Sequence, residues 1–303
     1  MPVCWARSRC HRTLVLPFWI SIALLSLSQG ALVAAPGALA WSLPARLRGR
    51  RWAVIPPLSV IAFVFGARAA EHASAQALTY LALVAVPILA ALALAMFLWN
   101  SRPPWRSRLR RALLVLPLFA LAWADRGGLA GEAAALVLSA LSCAALGVLL
   151  ATVTPPRWLA AGIVAMALAD TALVISDLLQ RPNNALNAAH PAAGLPQLQS
   201  EVFGSAVMGY GDLFIAGVLG GLLAATLGRS LQLRAAALTA ILALGFDLLF
   251  FLVDELPATV PVALALILIV LTRRRLFAPG RGAPRRRASG AARTAQARAP
   301  AAR

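Results

Sequence analysis

Two aspartates stand inside apolar stretches: Asp170 in Ala167-Leu168-Ala169-Asp170-Thr171-Ala172-Leu173-Val174, and Asp212 in Met208-Gly209-Tyr210-Gly211-Asp212-Leu213-Phe214-Ile215. A carboxylate held in hydrocarbon costs about 2.5–3.5 kcal/mol on insertion scales, so a chain that keeps two of them on adjacent spans has a use for them. A buried carboxyl pair suits acid–base chemistry. Mutual repulsion disfavours ionising both groups, so facing carboxyls hold one proton between them. The ionised member then deprotonates a water while the protonated member polarises a carbonyl. Other chemistries lack their parts. Cys4, Cys10 and Cys143 have neither metal-ligand spacing nor a disulfide framework, and His11, His72 and His190 form no HExxH or paired-ligand pattern. No metal or cofactor is therefore expected. A Gly-x-Ser-x-Gly nucleophile motif is also absent from the sequence.

The elements that carry these aspartates are membrane spans. The 303 residues are 61% hydrophobic and 13% charged, with mean hydropathy +0.80, and apolar runs repeatedly reach spanning length. Candidate spans lie near 13–41, 52–69, 76–99, 111–124, 130–153, 158–178, 203–227, 233–253 and 257–272. The expected fold is an all-α polytopic membrane protein of about nine transmembrane helices. Its organisation reads as a scaffold of spans one to five over 1–157, a chemistry-bearing set of spans six to nine over 158–272, and a tail over 273–303. The loop over 179–202 shows no sign of a folded domain.

All 28 basic residues are arginine, a bias of the kind a GC-rich genome imposes, and the pI is near 11.9. The arginines cluster at span ends and in the tail without interleaved aromatics, which is a topology signal rather than a nucleic-acid surface. Nine spans put 22 arginines on the side that includes the tail and 6 on the other. The tail is therefore expected to be cytoplasmic, in a bacterial-type cell membrane. Arg7, Arg9 and Arg12 dissent from that count. An alternative treats residues 1–40 as a signal peptide cleaved after Ala38-Leu39-Ala40, leaving eight spans. The tail itself is Ala/Pro/Gly/Arg-rich, expected to be disordered and to lie on anionic lipid.

If span six covers about 158–178 and span seven about 203–227, Asp170 lies about 12 Å and Asp212 about 13 Å from their shared loop. Antiparallel neighbours then present the carboxyls at one depth. Close backbone approach is expected from Ala167, Ala169 and Ala172 on one helix and Gly204, Gly209 and Gly211 on the other.

The aspartate of span six, Gly-Tyr-Gly-Asp at 209–212 and Pro257-Ala258 opening span nine are similar to the GxGD intramembrane aspartyl proteases, presenilin and signal peptide peptidase. The resemblance covers about 158–271 in its motifs and the remainder only in span count. It implies that Asp170 and Asp212 are catalytic. It further implies that Gly209, Tyr210 and Gly211, with Pro257, Ala258 and Thr259, line the site and place the substrate, a transmembrane peptide or protein. The tail-inside orientation is that of signal peptide peptidase and opposite to presenilin.

Departures are specific. Ala169 replaces the tyrosine that usually precedes the first aspartate, and Thr259 replaces the leucine of Pro-Ala-Leu, with a second match at Pro261-Val262-Ala263-Leu264. Asp177 competes with Asp170 but sits near the loop. Asp247 is a third intramembrane carboxyl outside the pattern. The prepilin-peptidase type of GxGD enzyme is disfavoured by the missing lysine. Three plainer roles compete at single residues: cross-helix hydrogen bonds from hydroxyls such as Thr171 or Tyr210 to the aspartates, helix contacts for Gly209 and Gly211, and helix initiation for Pro257. For the whole chain, the alternatives are a proton-coupled transporter, with Asp170, Asp212 and Asp247 as a relay, or a non-catalytic membrane scaffold.

Overall fold

The computed structural model describes residues 16–37, 49–59, 61–62, 71–97, 105–178, 180–189, 191, 194–253 and 255–272. The Arg-rich tail, Arg7, Arg9, Arg12, the Ala38-Leu39-Ala40 segment, Cys4, Cys10, His11 and His190 lie outside these residues, as does part of the 52–69 span.

The helices are α1 (Phe18–Ala34), α2 (Glu71–Leu92), α3 (Trp105–Ala112), α4 (Val115–Ala124), α5 (Leu129–Val153), α6 (Pro156–Ile175), α7 (Gln180–Ala188), α8 (Tyr210–Thr226), α9 (Arg229–Asp247) and α10 (Val260–Thr272). Among the described residues, Ala75–Met96, Leu129–Val153, Pro156–Ile175 and Arg229–Phe251 are long and apolar enough to cross a membrane. Phe18–Ala34, Tyr210–Thr226 and Val260–Thr272 are shorter apolar helices. The chain is thus a helical, multi-pass membrane protein. The 111–124 candidate is split by a turn at Leu113 and Leu114, leaving α4 with 10 residues.

Local sequence sets the boundaries. Pro155 and Pro156 end α5 at Val153 and start α6, where a proline at the first helical position loses no hydrogen bond. Beyond α6 the chain turns through Asp177, at φ 52°.

Helix α8 is the centre of the bundle. Every residue from Leu213 to Leu223 is buried, which a helix apolar on all sides achieves only when surrounded. It packs against α5 most extensively, and against α1, α6, α9 and α10. Backbones touch where glycines meet. A Cβ at Gly217 would lie 2.4 Å from the Cys143 carbonyl oxygen, one at Gly221 2.5 Å from that of Gly147, and one at Gly220 2.7 Å from that of Val33. The glycines that allow close approach are therefore Gly147, Gly217, Gly220 and Gly221, facing α5 and α1. Those expected to do so contribute differently: Gly211 makes only an ordinary contact with Met166, and Gly204 and Gly209 lie outside the helix. Leu168, Ile241 and Leu271 are two-thirds exposed on outer faces, as lipid-facing side chains should be.

Helix α1, from the N-terminal segment, belongs to this same core, with Leu25 and Val33 fully buried. Hydrogen bonds pin it along its length. Ser205 Oγ donates to the Leu16 carbonyl at 2.9 Å, Ser26 Oγ to Asp247 Oδ1 at 3.0 Å, and Gln29 Nε2 to the Ala258 carbonyl at 3.1 Å. Gln232 Nε2 donates to the carbonyls of Val33 at 2.9 Å and Pro36 at 2.8 Å, satisfying acceptors that a helix end leaves open. Near its start, Trp19 stacks on Phe251 at 4.4 Å and Phe18 meets Phe250 edge-on at 5.4 Å. An aromatic group at helix ends marks a membrane–water interface.

The segment between α6 and α8 differs from expectation. It holds α7 and an antiparallel hairpin of β1 (Ser200–Phe203) and β2 (Ala206–Gly209), paired Ser200 to Gly209 through Phe203 to Ala206. Gly204, at φ 60°, supplies the left-handed residue of the two-residue turn. The apolar residues 203–209, read as the start of span seven, are mostly strand.

Candidate functional site

Asp170 lies on α6, five residues before its end at Ile175, or about 7.5 Å along the axis. It is half-buried. Its Oδ2 accepts a 2.7 Å hydrogen bond from Thr259 Oγ1. Thr259 is 1% exposed and sits in the turn that leads into α10. Its own carbonyl accepts from the Ala263 amide at 3.2 Å, so its backbone starts the helix while its hydroxyl serves Asp170.

Asp212 is the third residue of α8, not a mid-span residue. Gly209 ends β2 and caps the helix, and its amide donates to Asp212 Oδ2 at 3.1 Å. An acid in the first turn is favoured by the helix dipole and by the open amides there. The equal depth expected from two long helices is therefore replaced by a helix end meeting a strand. The helices that carry the two carboxyls are still neighbours, since α6 packs on α8.

The other predicted residues surround this pair unevenly. Tyr210 turns away: its hydroxyl shares a 2.7 Å hydrogen bond with Ser142 on α5. Thr171 Oγ1 donates to the Ala167 carbonyl of its own helix. Neither hydroxyl reaches an aspartate, and the cross-helix hydroxyl that does so is that of Thr259. Pro257 lies three residues before α10 and its carbonyl accepts from the Val260 amide at 3.1 Å; Pro261 takes the first-turn position assigned to it. Ala258 contributes its carbonyl to Gln29. Asp177 is exposed in the turn after α6. Asp247 is tied to Ser26, and its buried Oδ2 has no hydrogen-bond partner among the described residues.

Two polar residues escaped sequence reasoning. Gln29 is 1% exposed inside α1 and bonds to the turn that carries Thr259. A lone amide within an apolar helix was the available signal. Glu201 on β1 is 1% exposed, and among the described residues neither its Oε1 nor the buried Ser139 Oγ has a hydrogen-bond partner; burial pushes its carboxyl up to about 8. It read as a loop acid because the hairpin was not anticipated. Among the described residues, no group of three His, Cys, Asp or Glu side chains is placed to hold a metal ion. Comparison of the chain with protein-family models, curated proteins and solved structures gives no match.

Proposed function

We propose that the chain is an intramembrane aspartyl protease that hydrolyses peptide bonds of transmembrane substrates with Asp170 and Asp212. Nine spans and a cytoplasmic Arg-rich tail complete the reading. The observation that carries it is an aspartate on each of two apolar helices that pack against one another, Asp170 on α6 and Asp212 in the first turn of α8.

With one proton between them, the ionised carboxyl takes a proton from water as the water oxygen bonds to the scissile carbonyl carbon. The partner gives its proton to the carbonyl oxygen. Collapse of the resulting diol breaks the C–N bond. One proton passes to the leaving nitrogen, and the dyad again holds a single proton. Gly209, Tyr210 and Gly211 on one side and Pro257, Ala258 and Thr259 on the other would border the substrate.

The test is cleavage of a single-span model peptide by the purified protein in proteoliposomes, read by mass spectrometry. Asp170→Asn and Asp212→Asn should each abolish product while the protein remains inserted. Because a dyad acts as a unit, the double variant should be no worse than either single one. Full turnover in both single variants overturns the proposal.

A further inference from the structure

We infer that Gln29 is a positioning residue for Asp170, acting through the Ala258–Thr259 turn; this rests on the protease reading above. The link has two hydrogen bonds. Gln29 Nε2 holds the Ala258 carbonyl at 3.1 Å, and the next residue, Thr259, holds Asp170 Oδ2 through its hydroxyl at 2.7 Å. Both Gln29 and Thr259 are 1% exposed, so water cannot replace either partner.

The turn needs an external hold. Residues 255–259 are non-helical, and the hydroxyl of Thr259 is spent on Asp170 rather than on capping α10. The backbone bonds Val260 to Pro257 and Ala263 to Thr259 tie this turn to the helix. Gln29 supplies a bond from a different element, and that element is rigidly placed. A Cβ on the adjacent Gly30 would meet Ala240 Cβ at 2.7 Å and the Ala236 carbonyl at 2.9 Å, so α1 and α9 are in backbone contact there. Gln232 and Ser26 fix α1 on either side. Holding Ala258 to α1 therefore fixes where the Thr259 hydroxyl sits, and with it the rotamer of Asp170.

The amide also suits this task better than a packing role. Within Phe18–Ala34, an apolar side chain at 29 would fill the same space, whereas an amide in hydrocarbon is kept where a carbonyl would otherwise be unpaired.

The experiment uses the full chain in proteoliposomes with Gln29→Met, near-isosteric and without the donor, and Gln29→Asn, too short to reach. Thr259→Val and Thr259→Ser probe the second link. Ser28→Ala is the control on the same helix; its hydroxyl bonds the Leu25 carbonyl of α1. Two readouts are taken: turnover of the model substrate, and the infrared carboxyl-stretch band of Asp170, assigned by its loss in Asp170→Asn. Gln29→Met, Gln29→Asn and Thr259→Val should each shift that band and lower kcat at least about tenfold with KM little changed, since a misplaced group costs rate rather than binding. Ser28→Ala should do neither, Thr259→Ser should leave the band in place because it keeps the hydroxyl, and Gln29→Met combined with Thr259→Val should be no worse than the worse single variant. A band that moves in Thr259→Val but in neither Gln29 variant overturns the inference, as do additive losses in the double variant. If the wild type cleaves nothing, the protease reading fails, while the infrared band still decides whether Gln29 sets the Asp170 environment.

Discussion

Replacing Gly217 by alanine puts a methyl group where α8 and α5 touch. The new Cβ would sit 2.4 Å from the Cys143 carbonyl oxygen and 2.7 Å from its carbon, whereas ordinary contact begins at 3.4 Å, so the two backbones must part by about 1 Å. Neither side has slack. The obstacle is backbone, and beside it a Cβ added at Gly147 would run into the Gly217 carbonyl oxygen more closely still. Forced overpacking of this kind costs about 1–3 kcal/mol. Gly217 is five residues past Asp212 on the same helix, about 7.5 Å along its axis, so α8 carries Asp212 with it. A displacement of about 1 Å at a reacting group lowers rate by up to about 100-fold. The expected variant is folded, less stable, and slower than wild type by one to two orders of magnitude, about 10–100-fold. Gly245→Ala is the matched control, because a Cβ there meets nothing within 4 Å. Turnover of the single-span substrate and the unfolding midpoint in detergent are measured for both. If Gly217→Ala matches Gly245→Ala in both, backbone contact between α5 and α8 does not place Asp212.

Glu201 gives a pH test. Its carboxyl stands at about 8 in the fold against an ordinary 4.5, so the folded state keeps the proton longer than the unfolded one, and stability falls as pH rises from about 4.5 through about 8. Unfolding midpoints at pH 5, 7 and 8.5 should show that decline, and Glu201→Gln should flatten it; an unchanged slope refutes the assignment. Asp247→Asn should keep turnover, because that carboxyl pairs with Ser26 rather than with the aspartate pair; loss of turnover there with activity intact in Asp170→Asn would mean that the partner of Asp212 is Asp247. Reporter fusions after Arg275 and within 183–190 should report cytoplasmic and external sides respectively, and an external signal from the tail refutes the orientation.

What the sequence revealed was residue type more than placement. Asp170 and Asp212 were legible because an acid in an apolar run violates the composition around it, and the 257–259 turn because proline interrupts a span. The position of Asp212 was not legible. Residues 203–209 are apolar enough to extend a helix, and only the backbone pairing of β1 with β2 shows that they are strand. The contact glycines were misassigned for a related reason: proximity in sequence to Asp212 favoured Gly209 and Gly211, whereas close approach depends on which side of α8 faces a neighbour. Thr259 was expected beside the site as a stand-in for leucine. Its hydroxyl bond to Asp170 follows from a change of chemistry at that position, which span count and motif matching do not weigh.

The pinning of α1 also sets a timetable for assembly. Ser26 waits for Asp247, 221 residues later in the chain, and Gln29 for Ala258, 229 residues later. At about 5–20 residues synthesised per second, α1 stays without those partners for about 10–50 s. During that interval an amide and a hydroxyl in hydrocarbon have no companions from their own chain. Helix α1 thus completes these contacts only after the C-terminal helices have been made.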